Sequence, residues 1–137
     1  MAETFKLEIA TPTKLVLDEQ VTSAEIPGSN GYLGILPDHA PLLGLLGAGV
    51  LTYTHKGKKN YIAVDSGFIE VLDNTVRVLS ERADFAKSIS LDAARKELAD
   101  AQNAMDHPAA DANYDALVEG VKEAQARIDA AGKETAA

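Results

Sequence analysis

The sequence predicts an α+β protein in which an N-terminal antiparallel β-sandwich or flattened barrel is followed by a C-terminal antiparallel two-helix hairpin. Residues 1–85 hold eight of the ten glycines and four of the five prolines, which is typical of short strands joined by turns. Residues 86–137 hold sixteen alanines and a single aromatic residue, which is typical of helices. We therefore divide the chain into a sandwich domain, residues 1–85, and a helical domain, residues 86–137.

The first domain contains eight segments with the pattern of a strand, and turns every 8–12 residues predict roughly eight to ten strands in all. Phe5, Leu7 and Ile9 alternate with charged residues, a period of two that places one face inward. Gly57 can supply positive φ in a hairpin loop over residues 55–59, and Asp73-Asn74 can form a tight turn. The predicted strands are residues 5–9, 14–17, 23–26, 32–36, 50–54, 60–64, 68–72 and 75–79.

The second domain contains two helices, each with one narrow apolar stripe. Ser90 is a suitable N-cap for the first helix, and Pro108 ends it because the residue before a proline avoids helical geometry. Asp111 can cap the second helix and Gly132 can end it. The stripes alternate steps of three and four residues: Leu91, Ala94, Leu98, Ala101 and Met105, then Tyr114, Leu117, Val121, Ala124 and Ile128.

Composition excludes several classes of function. The chain has 137 residues, no cysteine and a formal net charge of −8. Cysteine-based metal sites and thiolate nucleophiles are excluded, and the negative charge argues against nucleic acid and anionic lipid as partners. No apolar run approaches the roughly 20 residues that span a bilayer. We expect a soluble protein without a signal or transit peptide.

Three consecutive motifs are the most specific feature of the chain. Residues 26–28 read Ile-Pro-Gly, residues 31–36 read Gly-Tyr-Leu-Gly-Ile-Leu, and residues 39–43 read His-Ala-Pro-Leu-Leu. In this order and spacing they resemble the epsilon subunit of F-type, proton-translocating ATP synthases. The resemblance extends over both domains, from Phe5 to about Ala131.

The resemblance implies a non-catalytic subunit of the central stalk that couples proton flow through the c-ring to ATP synthesis. Its implied partners are the gamma subunit, the c-ring and, through the C-terminal helices, the alpha/beta catalytic hexamer. The helices would act as a regulatory arm that restrains ATP hydrolysis. The implied location is the cytoplasmic side of a bacterial inner (plasma) membrane, where the protein would be peripheral and held through its partners.

The same resemblance assigns two contact surfaces within the sandwich. The loop of His39, Ala40, Pro41 and Leu42 would face gamma, and the turn of Ser29, Asn30, Gly31 and Tyr32 would face the c-ring. An exposed tyrosine at a turn suits an interface, because its ring is apolar and its hydroxyl is polar.

Catalytic and metal sites are not expected. Asp38 and His39 are an acid beside a potential base, but neighbouring side chains on an extended chain point apart. The three histidines lie in different segments without the spacing of metal ligands. A small all-β hydrolase that uses Asp38, His39 or Asp65 is one alternative function. A free nucleotide-sensing regulatory protein is another.

One motif in the helices could hold a nucleotide. Leu91-Asp92-Ala93-Ala94-Arg95 resembles the motif of epsilon subunits that bind ATP, so Asp92, Arg95 and Arg127 are candidate nucleotide ligands. Gln102 and Glu123 stand where such subunits place bases. Phosphate recognition needs several converging cations. We therefore expect at most weak ATP binding and no other cofactor.

Overall fold

The computed structural model describes residues 2–136 and shows ten strands followed by two α-helices. A single turn of 3₁₀ helix, Ala86–Ser88, joins the two parts. The strands are β1 Phe5–Ala10, β2 Leu15–Val21, β3 Ser23–Gly28, β4 Gly31–Ile35, β5 Leu42–Leu46, β6 Gly49–His55, β7 Lys58–Val64, β8 Gly67–Leu72, β9 Thr75–Ser80 and β10 Ala83–Phe85. The helices are α1 Leu91–Asp106 and α2 Tyr114–Ala136.

The strands form one sheet that folds over a single core, which confirms the predicted sandwich or flattened barrel. Their order is β10-β7-β6-β3-β5-β8-β9-β1-β2, and β4 pairs with β3. One pair departs from the antiparallel pattern, because β1 runs parallel to β9 with Leu7 opposite Val76. These two strands are far apart in the chain, so no hairpin turn imposes an antiparallel arrangement on them.

The core lies between the two layers of this folded sheet. Phe5, Leu7 and Ile9 are at most 1% exposed, so the period of two in β1 does place one face inward. The other fully buried large side chains come from strands of both layers: Val21, Ile26, Ile35, Leu51, Ile62, Val64, Ile69, Val76 and Val78.

Two tight turns occur at the predicted places. Asp73 and Asn74 have φ values of 51° and 56°, and Lys56 and Gly57 have φ values of 51° and 78°. Positive φ at both central residues identifies the type I′ hairpin turn, whose twist matches that of the strands. The loop between β6 and β7 is shorter than predicted, because His55 already pairs with Lys58.

The ten strands agree with the predicted number, but two of them had not been assigned to residues. We expected residues 39–43 to form a loop, but Leu42 and Leu43 begin β5, which pairs with β8. The segment is apolar on both faces, so it lacks the alternation that identifies a half-buried strand. The three-residue strand β10 pairs with the end of β7 and is too short to show a period.

The helical hairpin is confirmed, with corrections at the ends of α2. The Ser90 hydroxyl accepts a hydrogen bond from the Ala93 amide at 3.2 Å, so Ser90 is the N-cap of α1. Asp111 is not the cap of α2, because the Asn113 side chain accepts the hydrogen bond from the Ala116 amide. Gly132 does not end α2, which continues to Ala136. About five turns of helix precede Gly132, and one glycine costs only about 1 kcal/mol.

The second helix packs on the sandwich over β6 and β7. Ala130 of α2 forms a small buried cluster with Val50, Ala63 and Ala86. Within the predicted stripes Ala94 and Ala124 are buried, whereas Tyr114 at the end of its stripe is 67% exposed. Neither helix, over residues 2–136, is both long and apolar enough to cross a membrane.

Candidate interaction surfaces

The turn between β3 and β4 projects from one end of the sandwich and is held firmly at its base. Ser29, Asn30 and Gly31 are exposed, and Tyr32 is 54% exposed. The Tyr32 hydroxyl accepts a hydrogen bond from the Val50 amide at 3.1 Å, which fixes the ring while its face stays in solvent. The Ser29 amide donates to the Leu45 carbonyl at 3.0 Å, so the turn lies beside the end of β5.

The loop between β4 and β5 contains a turn that the sequence did not reveal. Asp38 has a φ of 62°, so the Asp38-His39 segment is not extended as we expected. Proline fixes the first central residue of the turn, and aspartate tolerates the left-handed conformation at the second. The Asp38 carboxylate accepts from the Ala2 amide at 2.8 Å, and its own amide donates to the Asn74 side chain at 2.8 Å.

The predicted loop residues differ in the direction of their side chains. His39 Nδ1 donates to the Ala40 carbonyl at 2.7 Å, and Pro41 is exposed. Leu42 packs against the core and is only partly exposed, whereas Leu43 is 78% exposed. Of the two leucines, Leu43 therefore offers the larger surface to a partner.

Five strands carry a continuous row of outward apolar side chains. Leu45 lies opposite Phe68, Phe68 opposite Leu79, Leu79 opposite Ala10, and Ala10 opposite Leu15. The four larger side chains are each 53–59% exposed. We call these five residues the apolar row.

Charged residues form the next row on the same face. The Arg77 guanidinium contacts Glu70 at 3.0 Å and Glu8 at 3.1 Å. The Lys6 ammonium and, less strongly, Arg77 hold the pKa of Glu8 below its usual value. The apolar row is thus bordered by the Arg77 ion pairs and by the Glu8 carboxylate, whose lowered pKa keeps it ionised at neutral pH.

A cluster of ion pairs joins the helical hairpin to the sandwich. Arg127 of α2, with a side chain only 4% exposed, donates from Nη2 to both oxygens of Asp65 at 3.1 Å. Its Nε donates to Asp84 at 3.0 Å, and its Nη1 donates to the Glu123 carbonyl at 2.9 Å. Arg82 contacts Asp84 at 2.8 Å and Glu97 of α1 at 3.4 Å. We call Asp65, Arg82, Asp84, Glu97 and Arg127 the junction cluster.

The carboxyl group of Glu123 borders this cluster in an unfavourable environment. Burial, followed by the neighbouring Asp65 and Glu119 carboxylates, raises the pKa of Glu123 from its usual value of 4.5 to about 7. The attraction of Arg127 only partly offsets these effects. Glu123 therefore changes its charge near neutral pH, which is unusual for a glutamate.

The candidate nucleotide ligands are not grouped around a common space. Asp92 and Arg95 lie exposed on α1, whereas Arg127 is buried at the junction and directs its donors at carboxylates and a carbonyl. Binding of ATP at these residues stays a prediction.

The hydrolase alternative has no assembled site. Asp65 contacts Arg127, Asp38 contacts Ala2 and Asn74, and His39 contacts the Ala40 carbonyl. The three proposed catalytic residues are thus engaged with separate partners. Among residues 2–136 no three histidine or carboxylate side chains are grouped as a metal site would require.

Sequence reasoning missed two of these features. Phe68 and Leu79 were assigned to strands, but not to an exposed surface. The alternation of side chains along a strand could have identified them. Ile69 and Val78 point inward, so the adjacent Phe68 and Leu79 must point outward. The pair of Asp65 and Arg127 left no such signal, because the two residues are 62 positions apart and Asp65 lies in the loop between β7 and β8.

Comparison with known proteins places the chain in a family. Residues 4–86 match the family model "ATP synthase, Delta/Epsilon chain, beta-sandwich domain". The "ATP synthase epsilon chain" of Solibacter usitatus is 43% identical over 133 residues, which cover 97% of this chain and 99% of the relative. The "ATP synthase epsilon chain" of Koribacter versatilis is 47% identical over 91 residues, which cover 66% of this chain and 64% of the relative.

Solved structures share the fold at lower sequence identity. A chain of the Euglena gracilis mitochondrial ATP synthase, in a structure of OSCP, F1 and c-ring, superposes with a TM-score of 0.81 at 22% identity, over 96% of this chain and 82% of that chain. A chain of the Tetrahymena thermophila mitochondrial ATP synthase central stalk and c-ring gives a TM-score of 0.59 at 17% identity, over 95% of each.

Proposed function

Because the chain belongs to the ATP synthase epsilon chain family, we propose that it joins the gamma subunit of the central stalk to the c-ring. It is a non-catalytic subunit of the synthase, and neither the free nucleotide sensor nor the small hydrolase is favoured. In this role the protein transmits torque as a rigid connector and performs no chemistry.

The apolar row is the observation that carries this proposal. Soluble monomers rarely expose a large contiguous apolar surface unless it meets a partner. The row crosses five strands about 4.8 Å apart, so it is roughly 19 Å long. An α-helix of about 13 residues has the same length and could lay an apolar stripe along it. We assign the row to gamma, together with Leu43 and the loop of His39, Ala40, Pro41 and Leu42.

The turn of Ser29, Asn30, Gly31 and Tyr32 is assigned to the c-ring. Its backbone bond to Leu45 places it at one end of the apolar row, so one sandwich could contact both partners at once. The hydrogen bond from the Val50 amide holds Tyr32 in place, and a fixed aromatic side chain loses little entropy on binding.

Co-purification with gamma tests the first assignment. Phe68→Asp or Leu43→Asp should introduce an unpaired charge at the contact and lower the affinity for gamma at least about a hundredfold. Leu36→Asp is the matched control, because Leu36 is 65% exposed but lies outside the row. An equal loss of affinity for gamma in all three variants, or no loss in any of them, would contradict the assignment of this surface to gamma. Leu42→Asp should instead reduce stability, since Leu42 packs on the core.

Cross-linking tests the second assignment. The chain has no native cysteine, so Asn30→Cys is a unique site for pairing with a cysteine in the polar loop of subunit c. A disulfide requires Cα atoms roughly 4.4–6.8 Å apart, and we expect one to form. Lys56→Cys is the control, because it lies in the turn at the end of β6 remote from Tyr32. A cross-link at Lys56 without one at Asn30 would show that the sandwich is inverted.

We also propose that the helical arm restrains ATP hydrolysis weakly. Residues 111–131 contain two bases, Lys122 and Arg127, against five acids, and Arg127 is already paired with carboxylates. Attraction to an acidic loop of the catalytic hexamer is therefore small. Hydrolysis by complexes that contain chains ended at Phe85 should rise by less than about threefold over the full-length complex, a change of under 1 kcal/mol in barrier. A many-fold rise that high salt abolishes would contradict this view.

We propose that any binding of nucleotide is weak, because Arg127 is already engaged by carboxylates. Arg127 would have to leave Asp65 and Asp84 before it could contact a phosphate. Titration of ATP into the isolated protein should therefore give no saturable signal at millimolar nucleotide, and Arg95→Gln should change nothing. Saturable binding that Arg95→Gln abolishes would establish the nucleotide site.

The proposed location follows from the partners. The protein would lie at the cytoplasmic side of a bacterial inner membrane, attached only through gamma and the c-ring. It should sediment with membranes that contain gamma and the c-ring, and not with membranes from which both have been removed. Retention on stripped membranes free of c subunits would contradict this assignment.

A further inference from the structure

We propose that the junction cluster is a pH-sensitive latch, in which Arg127 holds the helical hairpin on the sandwich and ionisation of Glu123 weakens that hold. The inference rests on the proposed function, since it explains how the regulatory arm is retained. It concerns docking within this one chain, however, and can be tested without any partner.

The apolar part of the docking surface is small. Beneath α2, Ala130 meets Val50, Ala63 and Ala86, and three of these four buried residues are alanines. The larger side chains of Tyr61 and Ile89 pack at the edge and are only partly buried. A methyl group buries little area, so apolar contact alone stabilises the docked hairpin only modestly. The polar contacts at the junction therefore decide how firmly the arm is held.

The ion pairs of Arg127 stabilise the docked hairpin, and loss of either partner should destabilise it strongly. Asp65 has a side chain 8% exposed, and its backbone is fixed because its amide donates to the Ser80 hydroxyl at 3.0 Å. The Ser80 hydroxyl in turn donates to the Arg82 carbonyl at 2.6 Å. Removing one member of a buried pair leaves the other charge without compensation, which strongly disfavours the arrangement. With Arg127 absent, Asp65 regains solvation only if α2 moves away.

Ionisation of Glu123 makes the stability of the docked hairpin dependent on pH. The junction cluster contains three carboxylates and two guanidinium groups, so it carries one excess negative charge before Glu123 is counted. Ionised Glu123 adds a second. The charged groups that face Glu123 come from the sandwich, from α1 and from α2 itself: Asp65, Arg82, Glu97, Asp100, Glu119 and Arg127.

The direction of the effect follows from proton linkage. In the docked state the pKa of Glu123 is about 7, raised by burial and by Asp65, and it returns to about 4.5 when undocking exposes the carboxyl group. The contribution of Glu123 to docking is therefore full below pH 4.5, is lost as the pH rises to 7, and is constant above. Between pH 6 and pH 8 these values correspond to about a tenfold fall in the docking equilibrium.

Thiol accessibility measures the docking equilibrium in the isolated full-length chain. Ala63→Cys places a unique cysteine beneath α2, and Val78→Cys places one in the sandwich core, which the helices do not cover. A protection factor, the labelling rate in the urea-unfolded chain divided by that in the folded chain, corrects for ionisation of the thiol. Undocking exposes the first cysteine alone, whereas global unfolding exposes both.

In the chain that carries Ala63→Cys, Arg127→Gln should lower the protection factor of the cysteine by at least about tenfold. In the chain that carries Val78→Cys, the same substitution should change the protection factor by less than about twofold. Lys133→Gln removes one exposed positive charge from α2 and should change neither. Should Arg127→Gln fail to fold, Asp65→Asn with Arg127→Met removes both charges and should restore protection. Unchanged protection in Arg127→Gln, or an equal fall at both cysteines, would overturn the latch.

Glu123→Gln should abolish the tenfold difference in protection between pH 6 and pH 8. Asp129→Asn, which removes an exposed carboxylate from α2, should retain the difference. Persistence of the pH effect in Glu123→Gln would overturn the role of Glu123. A chain that passes these tests but fails to co-purify with gamma would contradict the proposed function and leave the latch intact.

Discussion

Four residues other than glycine adopt positive φ among residues 2–136, and all lie in turns between strands. They are Asp38, Lys56, Asp73 and Asn74, with φ between 51° and 62°. Asp73 and Asn74 could be predicted, because aspartate and asparagine tolerate this conformation and interrupt two apolar runs. Lys56 has no such tolerance, so the turn at Lys56-Gly57 forms at the expense of backbone strain.

Replacement of Lys56 tests this strain. Lys56→Asn creates the Asn-Gly pair that type I′ turns favour and should raise the free energy of unfolding by roughly 0.5–1 kcal/mol. Chemical denaturation of the purified protein measures the change. A decrease would show that the lysine side chain contributes more than its backbone conformation costs.

Asn74 provides the contrasting case, because its side chain has partners. It donates to the Thr4 carbonyl at 2.9 Å and accepts from the Asp38 amide at 2.8 Å, which ties three segments together. Turn preference alone would predict that Asn74→Gly is stabilising. We expect it to lower the free energy of unfolding by roughly 1 kcal/mol, because two hydrogen bonds are lost. A rise in stability would show that the turn is independent of these contacts.

At the scale of the element, the strands and helices were largely predictable, whereas their packing was not. Alternation identified the half-buried strands, and it failed for β5 because Leu43 and Leu45 are apolar on the outward face. The stripes identified both helices, and each stripe contains one buried residue, Ala94 in α1 and Ala124 in α2. The face of α2 that docks on the sandwich carries Ala126, Arg127 and Ala130, and alanine gives too weak a signal to mark a buried face.

The caps of the helices offer a test at this scale. Ser90→Ala and Asn113→Ala should each lower the free energy of unfolding of the hairpin by about 1 kcal/mol, since each removes a bond to an otherwise unpaired amide. Asp111→Ala is the control and should have little effect. Native-state hydrogen exchange of amides in α1 and α2 reports the change. A loss with Asp111→Ala equal to that with Asn113→Ala would mean that the helix begins earlier.

At the scale of the molecule, the chain has a core that closes without the helices and a smaller cluster that requires them. The main core draws on residues of the sandwich, from Phe5 to Phe85. Val50, Ala63 and Ala86 are covered by Ala130 of α2. The sequence predicted the first cluster from alternation, but the second depends on where α2 lies, which no local pattern encodes. A domain boundary near residue 85 stays a prediction.

A chain ended at Phe85 tests this division. It should fold and keep the c-ring contact, with a melting temperature lower by roughly 5–10 °C because the small cluster is uncovered. Asp65→Asn should weaken docking in the full-length chain, where Asp65 is paired with buried Arg127. In the shortened chain Asp65 is hydrated, so the same substitution should be nearly neutral. Failure of the shortened chain to fold would show that the helices are part of one cooperative unit.

The parallel pairing of β1 with β9 also determines the order in which a newly made chain can acquire its structure. The first strand to leave the ribosome lies between β2 and β9, so one of its edges stays unpaired until Leu79 has emerged. Folding that relies on such distant pairing is slow, and unpaired edges invite association with other chains. The helices are synthesised after all ten strands, so the whole sandwich sequence is available to fold before they emerge. The arm is therefore the final part to settle during biosynthesis, and β1 is the segment that most needs protection until then.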